Sequence, residues 1–189
     1  IRKKNEAYDL LRQRINFLKC CGYIKNNLLT EKGRFACNLF GYETILSELF
    51  ENGHLENFSE EELTVLMAAI VFEPRKRDSL PKLDKKVKSL RHLTEGVMNQ
   101  ILRQESRFKI RTPSKAPHYH LANAVEAWIK GEPFNKIILL TDSDEGELVR
   151  YLRMANQLLK EILSNRLSSA NLKNKISLLV PKINRGVID

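Results

Sequence analysis

TDSDEGELVRYLRMANQLLKEILS, residues 141–164, is the stretch whose reading decides the fold. Leu148, Leu152, Ala155, Leu159, Ile162 and Leu163 recur at the three-and-four spacing that lines one side of an α-helix. Thr141 is the predicted N-cap. Asp142, Asp144, Glu145 and Glu147 crowd the positive end of the helix dipole, where acid charge stabilises a helix without any catalytic role.

The same periodicity extends outward. Residues 83–105 carry an apolar stripe of Val87, Leu90, Leu93, Val97 and Ile101. Ahead of them, Ser59 and Glu62 form a capping box before a helix that buries Leu63, Leu66, Met67, Ile70 and Val71 on one side, and Pro74 ends it. Residues 75–83 are basic and read as a loop; residues 106–118, with two prolines, read as a connector. Helices are predicted over 121–130, 133–140 and from 171 onward, with a kink at Pro181. Trp128, the single tryptophan, sits among Val125, Ile129 and Phe134 and is predicted to be buried between its own helix and the long one.

Residues 1–40 read differently. Leu10, Leu11, Ile15 and Leu18 have helical spacing, and Gly22 closes that helix as a left-handed cap. Tyr23-Ile24 and Leu28-Leu29 flank a short turn, and Thr30 caps a following helix at Glu31. Helix, hairpin and helix form a partial winged-helix element. The predicted fold is all-α: a helical bundle over 41–189 with a long ratchet-type helix, preceded by this element and its one small β-hairpin.

Charge is distributed in blocks. Residues 1–40 hold nine basic and three acidic side chains, 41–73 none basic and eight acidic, 74–115 thirteen and four. With a net charge of +9, basic blocks on either side of an acidic one point to a polyanion path or to solvated basic faces. No apolar run approaches the roughly 20 residues that span a bilayer, so no membrane is expected. Residues 1–9 lack the apolar core of a secretion signal, and Ile1 in place of Met reads as an excised piece of a longer chain. Cys20, Cys21 and Cys37 are odd in number and wrongly spaced for a zinc site, so they read as small buried hydrophobes in a reducing cytosol. His118 and His120, two apart, read as polar surface rather than a metal site; no metal is expected. Phosphate loop, dinucleotide fingerprint and nucleophile elbow are missing from the sequence, and no catalytic residue is assigned.

One stripe of the long helix is not core. At about 100° per residue, Arg150, Arg153, Met154 and Gln157 share a side displaced from the leucines. Arginine forks bind phosphates, and methionine or glutamine lie against base faces or edges. The alternative is a face turned to water, with Arg150 paired to Glu145 or another carboxylate inside the bundle.

These residues also carry a resemblance. Gly22-Tyr23, Lys32-Gly33-Arg34-Phe35-Ala36, Glu48-Leu49, Asn52-Gly53, Glu61-Glu62-Leu63 and Val71-Phe72-Glu73 stand in the order found in one helicase domain. Val125, Trp128, Gly131 and Phe134 follow, then Thr141, Glu145, Gly146, Arg150 and Arg153, and finally "KINRGVID". The chain resembles the C-terminal helical (DSHCT, ratchet-helix) domain of superkiller-type and exosome-cofactor DExH-box RNA helicases over nearly its whole length. The resemblance implies a bundle seated on two RecA-like domains of the same polypeptide, with the long helix facing single-stranded RNA as it leaves the motor. It implies Arg150, Arg153, Met154 and Gln157 as the nucleic-acid-binding residues and Glu145, Gly146 and Trp128 as structural motif residues. At Met154 and Gln157 the family carries charged side chains, which leaves the arginines as the phosphate or structural residues. An acidic residue near the channel corresponds to Glu73.

The implied role is accessory, in RNA processing and decay, with no cofactor in this chain and with ATP and Mg²⁺ held by the parent's motor core. The implied compartment is cytoplasmic, or nuclear in a eukaryote. RNA is favoured over DNA as partner. A ratchet domain of a DNA-repair-type helicase, a freestanding winged-helix regulator and a non-catalytic interaction module are the alternatives. Lacking a phosphate loop, the pure chain is expected not to hydrolyse ATP; nucleic-acid-stimulated phosphate release by pure material would contradict this.

Overall fold

The computed structural model describes residues 2–186, so Val187, Ile188 and Asp189 of the closing motif lie outside the described residues. The first helix, α1 (Arg2–Cys20), stops where Gly22 turns left-handed at φ +78°. The amide of Tyr23 then reaches the Leu18 carbonyl and that of Gly22 the Lys19 carbonyl, which satisfies carbonyls the helix end leaves open. Strands β1 (Ile24–Lys25) and β2 (Leu28–Leu29) pair antiparallel, with Ile24 opposite Leu29. Asn26 and Asn27 both take positive φ, the backbone that a two-residue hairpin of right-handed twist requires.

Helix α2 (Glu31–Ala36) begins under the expected cap: the Thr30 hydroxyl accepts from the Gly33 amide. Its Lys-Gly-Arg step clamps the hairpin. Lys32 is buried, donates to the Cys21 carbonyl, pairs with Glu48 at 2.5 Å and lies 4.5 Å from the centre of the Tyr23 ring. Arg34 donates to the Leu29 carbonyl. Between them Gly33 passes so close to the hairpin that a Cβ would stand 2.2 Å from the Tyr23 carbonyl oxygen. The glycine is there for proximity.

Helices α3 (Glu43–Glu51), α4 (His54–Asn57) and α5 (Glu60–Val71) follow. The Ser59–Glu62 capping box forms as expected, with both of its hydrogen bonds made. The one-sided burial expected of α5 does not hold: every residue from Leu63 to Val71 is buried. The reason is that α5 is the central element, packed by α6 (Lys85–Arg107), by α7 (Ala122–Ile129), by the long α9 (Glu145–Ser164) and by α10 (Ala170–Ile183). The short α8 (Phe134–Ile137) and single 3₁₀ turns at Tyr119–Leu121 and Ile138–Leu140 complete the order. Phe35 and Leu39 belong to the same hydrophobic core as the bundle helices. The fold is all-α with one small hairpin.

Four expectations need correction. The cap of α9 is Asp144, whose side chain accepts from the Glu147 amide at 2.8 Å; Thr141 lies three residues too early and accepts from Ser143 instead. The stripe of α1 is largely uncovered: Leu11 and Ile15 are exposed and Phe17 is the buried residue, because α1 packs mainly through its C-terminal end, against β1 and Phe108. Nor are the cysteines core: Cys20 and Cys37 are exposed and Cys21 is half-buried. On α6 the buried face also takes in Thr94 and Met98, with Leu93 and Val97 only partly buried at its edge; the Thr94 hydroxyl meets the buried Tyr119 hydroxyl at 2.7 Å.

Gly33→Ala is expected to destabilise the chain by about 2 kcal/mol, the scale of forcing an extra carbon into a packed site. That lowers the melting temperature by about 4–8 °C. A melting curve superimposable on wild type would refute the close-approach account.

Candidate nucleic-acid interface

Two anchors hold α9. At its start, Asp142 accepts from the Ser79 amide and hydroxyl at 2.8 and 2.7 Å. Those donors hold the Asp142 carboxyl below its usual range. Arg75 ties the same corner together: it pairs with Glu147 at 2.8 Å and with Asp78, and donates to the Asp142 carbonyl. The acidic cluster at 142–147 therefore does structural work, part helix cap and part dock for the 75–79 loop. At mid-helix the Tyr151 hydroxyl meets the backbone of Glu73, while Phe72 packs on the Tyr151 ring at 4.9 Å.

Leu148, Tyr151, Leu152, Ala155, Asn156, Leu158, Leu159 and Ile162 are turned inward, with Val149, Met154 and Leu163 partly buried at the margin of the core. Arg150, Arg153 and Gln157 are exposed and Met154 is half-buried. The Arg150 guanidinium lies 4.2 Å from the centre of the Tyr151 ring and 3.9 Å from the Met154 sulfur. Arg150 is thus on the outside of the bundle, not paired within it. Glu73 lies close enough to feel it: the Glu73 carboxyl is held below its usual range first by its hydrogen bond and ion pair with Lys115 and then by Arg150. Gln157 donates to Glu161 at 3.3 Å. The four predicted residues do share one face.

Glu73, Lys115, Tyr42 and Glu161 also border this face; of these the resemblance pointed only to Glu73. Glu161 lies one turn beyond Gln157 on α9 itself, whereas Glu73, Lys115 and Tyr42 arrive from loops distant in sequence, for which helix spacing carries no signal.

Trp128 is buried, and its polar and ring partners lie on α8 and at the end of α10. Its indole donates to the Ile183 carbonyl at the end of α10 at 2.9 Å, meets Phe134 edge-on at 6.1 Å, and carries the Arg185 guanidinium 4.2 Å from its ring centre. Arg185 in turn donates to the carbonyls of Trp128 and Glu132. The clasp joins motif residues more than 50 positions apart and locks α10 onto α7.

The family model of the "DSHCT (NUC185) domain" matches residues 26–189. The chain belongs to the DSHCT family. Among curated relatives, this DSHCT chain is similar to "Exosome RNA helicase MTR4" of Homo sapiens, 26% identical over 95% of the chain and 18% of that protein. It is similar to "Antiviral helicase SKI2" of Saccharomyces cerevisiae at 26% over 93% of the chain and 14% of the relative. It also matches "DExH-box ATP-dependent RNA helicase DExH11" of Arabidopsis thaliana at 30% over 78% of the chain and 11% of the relative. The DSHCT chain spans less than a fifth of the length of these relatives.

Much of the motif pattern is explained by packing: Lys32 and Gly33 by the hairpin clamp, Trp128 and Arg185 by the α7–α10 clasp. Gly146 is not. It is exposed in the first turn of α9, and a Cβ there would meet nothing closer than the Asp144 carboxylate at 3.6 Å. Gly146→Ala is expected to raise stability by roughly 0.5 kcal/mol, since alanine costs less backbone entropy in a helix. A clear loss of stability in chemical denaturation would show that Gly146 has a packing role after all.

Proposed function

We propose that this chain is the accessory nucleic-acid-guiding domain of an ATP-dependent DExH-box RNA helicase, with residues 1–40 a partial winged-helix element and 41–189 the guiding bundle. The observation that carries the reading is the outward stripe of α9, where Arg150, Arg153 and Gln157 are exposed beside the half-buried Met154, displaced from the side that packs into the core. The named functions of the relatives and the basic surplus of the chain support it.

The chemistry is that of grip, without bond-making. An exposed arginine offers a forked donor to a passing phosphate without reading sequence. The Met154 thioether and the Gln157 amide offer a polarisable surface and a hydrogen-bonding edge to bases. Arg150, propped over Tyr151 and against Met154, is pre-oriented and loses less side-chain entropy on contact than a free arginine does. ATP and Mg²⁺ would be held by RecA-like domains of the same polypeptide, because this sequence has no phosphate loop to cradle a triphosphate. The parent would work in RNA processing or decay, in the cytoplasm or nucleus.

The test is made in the complete helicase. Arg153→Ala is expected to weaken single-stranded RNA binding equally for all sequences and to flatten the salt dependence by about one phosphate contact. Met154→Ala is expected to cost about 1 kcal/mol or less in binding. Single-strand affinity and unwinding are measured against ATP turnover. Two variants that bind and unwind like wild type would remove the stripe from the strand path, and tighter binding of DNA than of RNA would reassign the substrate.

A further inference from the structure

Phe40 is the most exposed large aromatic among the described residues, 74% exposed, in the loop between α2 and α3. Its backbone is fixed. The Phe40 amide donates to Oε2 of Glu161 at 3.3 Å, and Oε1 of the same carboxylate accepts from the Gln157 amide at 3.3 Å. Glu161 therefore ties the loop to the last turns of the proposed strand path and uses both oxygens to do so. The next residue, Gly41, turns left-handed at φ +89°, and Tyr42 after it feels the charges of Lys115, Glu73 and Arg150.

We propose that Phe40 is a stacking platform for one unpaired base of the RNA strand, at the Gln157–Glu161 end of the α9 path, with Glu161 as its positioning residue. The proposal rests on the strand-path reading above. Leaving a phenyl ring in water is unfavourable, and nothing in the core requires this one outside. A base stacked on an aromatic side chain gains a contact that tolerates any sequence, because every base has a π-face. Arg150 and Arg153 stand at one end of the path, and the Phe40 end carries the Gln157 amide, the Glu161 carboxylate and the exposed Lys160. Phe40 also borders an apolar groove lined by Leu29, Gly33, Ala36, Cys37 and Leu39. Protein docking into that groove is the competing use of the ring, and the tether to Glu161 favours the strand.

The experiment compares Phe40→Ala, Phe40→Trp, Phe40→Leu and Arg153→Ala in the complete helicase. The probes are an oligouridylate and an abasic ribose-phosphate strand of equal length, with binding read by fluorescence anisotropy. Phe40→Ala is expected to weaken oligouridylate binding at least about fivefold and to leave the abasic strand unaffected. Phe40→Trp should bind as wild type, and Phe40→Leu should not rescue. Unchanged oligouridylate binding in Phe40→Ala, with Arg153→Ala impaired, overturns the platform and leaves the strand path standing. If neither variant changes binding, both fall. Rescue by Phe40→Leu, or equal loss on the abasic strand, shows apolar packing instead of stacking and also overturns the platform. A lowered melting temperature of Phe40→Ala with RNA affinity intact assigns the ring to protein docking and has the same consequence.

Discussion

Helix α5 has no solvent face between Leu63 and Val71, and the rest of the molecule is arranged around that fact. A helix apolar all round can exist in water only if other elements cover every side of it. Here α6, α7, α9 and α10 each contribute part of the cover, and each is consequently amphipathic, one side committed to α5 or to a neighbour and the other left for solvent. The outward stripe on α9 is a by-product of this. Because Leu148, Leu152, Ala155 and Leu159 must face inward, Arg150, Arg153 and Gln157 are forced outward in register. The end of α5 sets the height of α9 as well, since the backbone of Glu73 meets the Tyr151 hydroxyl and brings a carboxylate to the arginine end of the stripe.

Local chemistry was readable from the sequence wherever a few consecutive residues suffice. The Ser59–Glu62 box, the Thr30 cap, the turn at Gly22 and the hairpin all concern groups within six positions of one another. The cap of α9 was misplaced because Thr141 and Asp144 offer the same chemistry, and the choice turns on Ser79 and Arg75 holding Asp142 outside the helix. Tertiary contacts decided the other differences. Trp128 reads as core from its neighbours, but its partner is Arg185, 57 positions away. The stripe of α1 reads as buried by periodicity, and periodicity does not tell whether anything is present to bury it.

The candidate site divides along the same line. Four of its residues lie on one helix and are visible as a period. Glu73, Lys115, Tyr42, Phe40 and Glu161 assemble from three loops and the far turn of α9. Some of the family motif has a packing explanation that needs no ligand. Gly33 is a close approach, Lys32 half of a buried ion pair, and Trp128 and Arg185 a clasp. What packing does not explain is the set of exposed residues between Arg150 and Glu161, together with one open phenyl ring.

The charge of that set bears on what kind of grip it gives. Lys115 is spent on Glu73, and Glu161 is spent on Gln157 and the Phe40 backbone. Arg150 and Arg153 are the two cationic residues along the outward turns from 150 to 157, a small number beside the roughly six to ten phosphate contacts of a tight, strongly salt-dependent binder. A surface that holds a strand through about two phosphates and a few base contacts binds weakly on its own. Weak, sequence-tolerant contact is what a moving strand requires, since each position must be released as readily as it is taken. The stripe therefore suits a guide that borrows most of its affinity from neighbouring domains, and it suits poorly a module that must find and retain RNA by itself.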